Sequence, residues 1–298
     1  MQKIRGIIPP ATTPFDADGA IDFAAAREQV RWLLRQGVHG LAIGGSTGEG
    51  QTLEVDEFRR LIGATVEEVA GKVPVIAGII VDSTRDAIRR GNAVKDLGVA
   101  ALQVTPVHYL FRPHDEAMLA HFRALTEAAG LPVIIYNVVP WSYLSPALLC
   151  RIMREVPGVI GVKQSAGDLK LVADLLVMAR PRDVILSAVD ALLYPSFALG
   201  AHGSIAAILS AAPAACVELW DAVERGDHAR ARDLHRRLLL LWNAIAGDNL
   251  PACTKFAQTL QGCPAGFPRA PMPAASPEQQ ALIRAALSRL EADVRSAA

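Results

Sequence analysis

The chain has 298 residues, 51% of them hydrophobic, and its 30 basic and 30 acidic side chains cancel. That length suits one large α/β barrel, which routinely runs to about 250 residues or more as a single unit. A formal charge of zero excludes nucleic acid or an anionic membrane as the main partner, because both recruit proteins through a basic field.

In chain order, short apolar runs alternate with longer amphipathic ones. GIIPP (6–10) reads as a strand and DFAAAREQVRWLLRQG (22–37) as a helix closed by Gly37. GLAIGG (40–45) is a strand and 53–71 a helix; VPVIAGI (73–79) is a strand and 84–98 a helix. AALQVTP (100–106), a strand, precedes a helix over 114–130, and LPVIIYN (131–137) precedes a helix over 145–156. Ser145 supplies the cap of that helix and Pro146 its first residue, where a missing N–H costs nothing. GVIGVK (158–163) leads to a helix over 168–179, DVILSA (183–188) to a short helix over 191–200, and GSIAAI (203–208) to a helix over 212–226. Further helices are expected over 227–247, 253–262 and 276–294, with a Pro-, Gly- and Ala-rich linker at 262–277.

Eight strands, each followed by a helix and apolar throughout, describe a parallel sheet covered on both faces. The count points to a closed (β/α)₈ TIM barrel over residues 1–226, with a C-terminal helical segment (227–298) packed on it. An open doubly wound sheet would carry a GxGxxG turn after an early strand, and none is present.

The N-terminus has no apolar run of signal-peptide length, and no stretch approaches about 18 uninterrupted apolar residues, so a cytoplasmic protein off the membrane is expected. Cys150, Cys216, Cys253 and Cys263 lack CxxC spacing and read as buried apolar residues in a reducing compartment. The seven histidines show no metal-ligand spacing, so no metal site is expected. His114 and His121, two turns apart, are expected on a solvated helix face.

Barrels of this kind place their chemistry at the C-terminal ends of the strands. Three such ends carry unusual polar residues: GGSTGEGQT (44–52), YNVVP (136–140) and Lys163. The chain holds six lysines against 24 arginines, so a lysine ending an apolar strand stands out. Desolvation there would lower its pKa and free the amine to attack a carbonyl; the alternative is a structural lysine paired with a carboxylate. Tyr136 is either a proton shuttle beside it or a core residue with a satisfied hydroxyl. In the 44–52 loop the glycines could admit a ligand to the backbone, and Ser46 and Thr47 could bind a carboxylate; otherwise it is a tight turn. A small 2-oxo acid offers a ketone for Lys163 and a carboxylate for that loop.

On TTPF (12–15), GGSTGEGQTLEVDEF (44–58), VTP (104–106), Tyr136, Asn137 and Pro140, GVKQSAGD (161–168), SAVDALLYPSFALGAHGSI (187–205) and the KFA segment at 255, the chain resembles the dihydrodipicolinate synthase / N-acetylneuraminate lyase family. The resemblance spans nearly the whole chain. It implies a (β/α)₈ barrel with a C-terminal helical extension, a homotetramer, and a class I lyase without metal or organic cofactor. In such enzymes a barrel lysine forms a Schiff base with pyruvate or another 2-oxo acid. By position, Lys163 matches that lysine and Tyr136 the proton-transfer phenol. Ser46 and Thr47 match the hydroxyl pair that holds the substrate carboxylate and supports the phenol, Thr47 counting among the catalytic groups. Ile205 matches the residue whose backbone faces the bound acid.

Two loops depart from the family pattern. Dihydrodipicolinate synthases usually carry an arginine just after YNVP; here the segment is YNVVPWSYLS, without one. The strand 4 loop reads TPVHYLFRP, so His108 takes the place of a tyrosine that reaches a neighbouring subunit's site, and Tyr109 follows. Either could complete a proton relay, while Arg112 is a replacement anion contact or a solvated side chain. The departures favour an aldolase or dehydratase acting on a 2-oxo acid. Dihydrodipicolinate synthase itself, condensing pyruvate with aspartate semialdehyde, is the alternative, and a non-catalytic 2-oxo acid binding protein is a second.

Overall fold

The computed structural model describes residues 3–109 and 111–291. Eight parallel strands form one sheet: β1 (Gly6–Ile7), β2 (Leu41–Ile43), β3 (Val75–Ile79), β4 (Ala101–Val104), β5 (Val133–Asn137), β6 (Val159–Gln164), β7 (Val184–Ser187) and β8 (Gly203–Ser204). Their order is 1-8-7-6-5-4-3-2. The ring closes where Pro10 bridges Ala42 and Pro9 O accepts from Ala42 N. This is the (β/α)₈ barrel that the alternating runs imply.

The strands are almost wholly buried because both faces are covered. Inward-facing Ile8, Ala42, Ile76, Ala101, Ile134 and Leu186 fill the lumen. Outward residues pack beneath α1 (Phe23–Arg35), α2 (Val55–Val69), α3 (Thr84–Val94), α4 (Asp115–Ala129), α5 (Pro146–Glu155) and α6 (Leu169–Met178). Asp22 and Ser145 cap α1 and α5 by accepting from Ala25 N and Leu148 N. A second apolar cluster joins α7 (Leu193–Ala198), α8 (Ile208–Ala211) and α9 (Pro213–Glu224) to α10 (His228–Ile245), α11 (Leu250–Leu260) and α12 (Pro277–Glu291). All four cysteines are buried and unpaired. No described helix is long and apolar enough to cross a membrane.

Several expectations change. The first strand shrinks from 6–10 to Gly6–Ile7, because Pro9 and Pro10 have no N–H and extend the pairing only through bridge and carbonyl contacts. The eighth stops at Ser204, and the apolar run beyond it coils into the single turn of α8. The expected helix over 276–294 is described to Glu291; residues 292–294 lie outside the described residues. His121 is not solvated but 4% exposed, with Nδ1 at 2.9 Å from Thr84 Oγ1. It falls three residues after Met118 and four before Leu125, on the stripe of α4 that faces the core. His114 instead caps α4, accepting from Ala117 N.

Candidate active site

Tyr136 and Lys163 are register partners on β5 and β6. The two-residue period of a strand puts Tyr136 on the same inward face as Ile134, one layer nearer the barrel mouth. Both side chains are 4% exposed, and Lys163 Nζ stands 3.7 Å from the centre of the Tyr136 ring. Burial pulls the lysine down to about 7, with the Asp190 carboxylate opposing the shift. Burial thus favours the free amine, the form that attacks carbonyls, over the ammonium.

The phenol is held from the other side, where Tyr136 Oη and Ser46 Oγ are 3.1 Å apart. Burial pushes the phenol up to about 12 although the Ser46 bond lowers it, so it stays protonated at neutral pH. Ser46 opens the tight turn Ser46–Gly48 that follows β2. Gly48 N and Gly50 N both bond Gly45 O, and Thr13 Oγ1 donates to Gly48 O at 2.6 Å. The turn exits through Glu49, a non-glycine residue in the left-handed region at φ 54°. Its fully buried carboxylate meets Lys255 Nζ of α11 at 2.6 Å and accepts from Arg269 N at 2.9 Å. Lys255 also donates to Phe267 O. The C-terminal segment and its linker thus clamp the turn that presents Ser46 and Thr47.

Two of the loop glycines have a packing reason of their own. A Cβ on Gly50 would lie 1.8 Å from Gly44 O, and one on Gly48 2.8 Å from Ala11 O. At these two positions the bare backbone makes room for the protein's own carbonyls.

Ser46, Thr47, Tyr136, Lys163 and Ile205 line one cavity of about 530 Å³. Ile205 follows β8, with its N–H bonded to Ser187 O. His108 and Tyr109 are not brought to this cavity by the chain itself. His108 Nδ1 donates to Pro106 O and lies 3.3 Å from Asp82 Oδ1. Tyr109 is 64% exposed, and its backbone N–H bonds the same Asp82 oxygen. Arg112 is exposed on that loop. The two departing loops are laced together: Trp141 Nε1 donates to His108 O, and Ser142 Oγ to Val107 O.

The cavity also holds residues that the sequence reading passed over. Asp190 follows β7, and its Oδ1 accepts from Ile208 N at 2.9 Å. Burial pushes its carboxyl up to about 6, while the Ile208 N–H and Lys163 pull it back. It is the one charged residue between Asp183 and His202, and a lone acid after a barrel strand was a usable signal. Ser165 and Gly167, beyond β6, line the wall as well. Trp242, Asp248, Leu250 and Met272 come from the C-terminal segment, whose placement over the mouth no local pattern announces. Among the described residues, no group of three or more His, Cys, Asp or Glu side chains is arranged to hold a metal ion.

Comparison with known proteins gives a consistent result. The profile of the dihydrodipicolinate synthetase family matches residues 3–290. The 4-hydroxy-tetrahydrodipicolinate synthase of Methanopyrus kandleri is 37% identical over 291 residues, covering 97% of each chain. Among solved structures, the dihydrodipicolinate synthase of Thermotoga maritima is 28% identical with a TM-score of 0.91, covering 97% of this chain and 99% of that one. A prophage protein of the dihydrodipicolinic acid synthase family from E. coli K12, solved in complex with pyruvate, is 25% identical with a TM-score of 0.91 and the same coverage.

Proposed function

The chain belongs to the dihydrodipicolinate synthetase family, an enzyme of its Schiff-base lyase class, and we propose that it acts as an aldolase or dehydratase on pyruvate or a related 2-oxo acid through Lys163. One observation carries the reading: a buried amine with a pKa of about 7 lies against Tyr136 in a cavity that also presents the Ser46–Thr47 turn.

In this reading the substrate carboxylate sits on the Ser46–Thr47 turn and its ketone faces Lys163. The neutral amine adds to C2. Tyr136, relayed through Ser46, protonates the departing oxygen, and water leaves. The resulting iminium withdraws electrons from C3, so a C3 proton or the C3–C4 bond is lost and an enamine forms. The enamine then adds an aldehyde, takes a proton, or expels a β-hydroxyl. Hydrolysis of the imine returns the free amine. No step requires a redox change.

The test is to incubate the protein with pyruvate, reduce with borohydride and map the adduct by peptide mass spectrometry. A reduced pyruvyl group on Lys163, absent from Lys163→Ala, is the expected outcome. Failure of pyruvate and of longer 2-oxo acids to label Lys163 would overturn the reading.

A second reading is favoured by the relatives' name, 4-hydroxy-tetrahydrodipicolinate synthase; it is the condensation of pyruvate with aspartate semialdehyde that the family resemblance implies. It needs an anion contact for the semialdehyde, and the strand 5 loop offers no arginine. Assembly as a homotetramer is part of the proposal. It is supported by Tyr109, Phe111 and Trp141, which leave 64%, 64% and 70% of their surface exposed on the two laced loops. Sedimentation of the purified chain tests it.

A further inference from the structure

Two segments singled out in the sequence take no part in the chemistry above. TTPF (12–15) and the KFA segment at 255 contribute no residue to the lining of the cavity. Both converge instead on the turn that follows β2. Thr13 Oγ1 donates to Gly48 O at 2.6 Å, and Lys255 Nζ meets Glu49 Oε1 at 2.6 Å. Lys255 Nζ stands 4.7 Å and Arg269 Cζ 4.2 Å from the centre of the Phe15 ring, and Phe15 O accepts from Phe267 N. Thr12 ties the same region to α11 and α1, donating to Gln258 Oε1 and accepting from Gln29 Nε2.

Glu49 is where these contacts gather. It is one of two non-glycine residues at positive φ among the described residues, a backbone state that a Cβ disfavours. Glycine would adopt it more easily, so the side chain is what the position retains. The buried carboxylate is bonded at both oxygens, Oε1 by Lys255 Nζ and Oε2 by Arg269 N at 2.9 Å. The Glu49 backbone is held as well: its N–H donates to Ser46 O, and its carbonyl accepts from Thr52 N and Thr52 Oγ1.

A buried ion pair is a poor source of stability, because an apolar pair of similar volume avoids desolvating two charges. What short charge-assisted bonds supply is direction. Ser46 and Thr47 precede Glu49 in one hydrogen-bonded turn, so a change in the Glu49 dihedrals would swing their N–H groups and hydroxyls. Lys163, in contrast, is placed by the ladder of β5, β6 and β7.

Resting on the Schiff-base reading above, we propose that Glu49, Lys255 and Thr13 are positioning residues for the 2-oxo acid. They touch no reacting atom. They fix the direction in which the Ser46–Thr47 turn meets the substrate carboxylate, which makes α11 a working part of the substrate seat.

The experiment measures borohydride trapping on Lys163 in the purified full chain, with pyruvate and with methyl pyruvate, which keeps the ketone and masks the carboxylate. Three proteins are compared: the native chain, Thr13→Val, and Glu49→Gln combined with Lys255→Met, which removes both charges together. The native chain should label at a far lower concentration of pyruvate than of the ester. In the double variant the half-saturating pyruvate concentration should rise about tenfold to a hundredfold and that of the ester by less than about threefold, the scale of a misplaced binding group. Thr13→Val loses one hydrogen bond to the turn and should raise the pyruvate value alone by about threefold or more. It carries the test if the double variant does not fold. An unchanged pyruvate preference in a folded variant overturns the inference. So does an equal loss with both ketones, because a merely structural role would not single out the carboxylate. A native chain labelled equally by both ketones refutes the carboxylate seat and leaves the Schiff base standing; a native chain that pyruvate does not label refutes the parent reading as well.

Discussion

Replacing Lys163 with methionine should abolish activity and make the protein more stable. The two side chains are similar in length and both unbranched, so the substitution keeps the packing and removes the ionisable group. The folded chain holds this amine at about 7 against an ordinary value of 10.5, because burial disfavours the ammonium. Between those two pH values the unfolded chain binds a proton that the folded chain does not. Stability therefore rises with pH across that window and carries the full burden below it. At about 1.4 kcal/mol for each tenfold change, the burden approaches 5 kcal/mol as an upper bound, and water reaching the cavity reduces it. A gain of about 2–5 kcal/mol near pH 7 is expected for Lys163→Met, shrinking as pH rises toward the ordinary lysine value. Thermal unfolding of both proteins at about pH 6 and about pH 9 reads it as a Tm difference of several degrees that narrows at the higher pH. A methionine variant less stable than the parent at every pH would refute the reasoning. Lys163 would then be a structural cation paired with Asp190, whose loss leaves a buried carboxylate uncompensated.

Three further outcomes follow from the same geometry. Tyr136→Phe removes the proton donor and keeps the ring under Lys163 Nζ; kcat should fall by about 10²–10⁴, and undiminished turnover would take the phenol out of the mechanism. Glu49→Gln leaves the Lys255 ammonium buried without its counter-charge, so urea unfolding should show a loss of about 3–5 kcal/mol. Adding Lys255→Met to it should recover most of that loss, and additive costs would sink the pairing argument. His121 is held down at about 4 by burial, below its ordinary 6.5. The unfolded chain binds the extra proton between those values, so stability is lost as pH falls through them, by up to about 3 kcal/mol. His121→Gln should flatten that acid limb in urea titrations, and an unchanged limb would place the sensitive group elsewhere.

The barrel was legible because its signals are local and repeated. Each strand is an apolar run followed by an amphipathic one, and the two-residue period then places Tyr136 and Lys163 on the inward face at the mouth. Strand lengths were less legible, since pairing is decided by backbone donors: two prolines cut β1 short, and the run after Ser204 coiled instead of extending. His121 misled for a related reason. Its polarity suggested water, whereas its position between Met118 and Leu125 puts it on the packed face, where Thr84 meets its ring.

The far wall of the cavity is a different kind of problem. Lys163 and Tyr136 announce themselves because polar groups at the ends of apolar strands need a chemical reason. Trp242, Asp248 and Met272 sit in stretches where such residues are ordinary, and they acquire a role only when the C-terminal segment folds over the mouth. What fixes that segment there includes an ion pair between Glu49 and Lys255, 206 residues apart, in which each partner alone reads as a surface charge. The same carboxylate holds the turn that carries Ser46 and Thr47. One buried contact therefore holds both the turn that carries Ser46 and Thr47 and the segment that lies over the cavity. The residues at the barrel mouth are placed by strand periodicity and the cavity's far wall by long-range contacts, so a sequence of this kind reveals the first before the second.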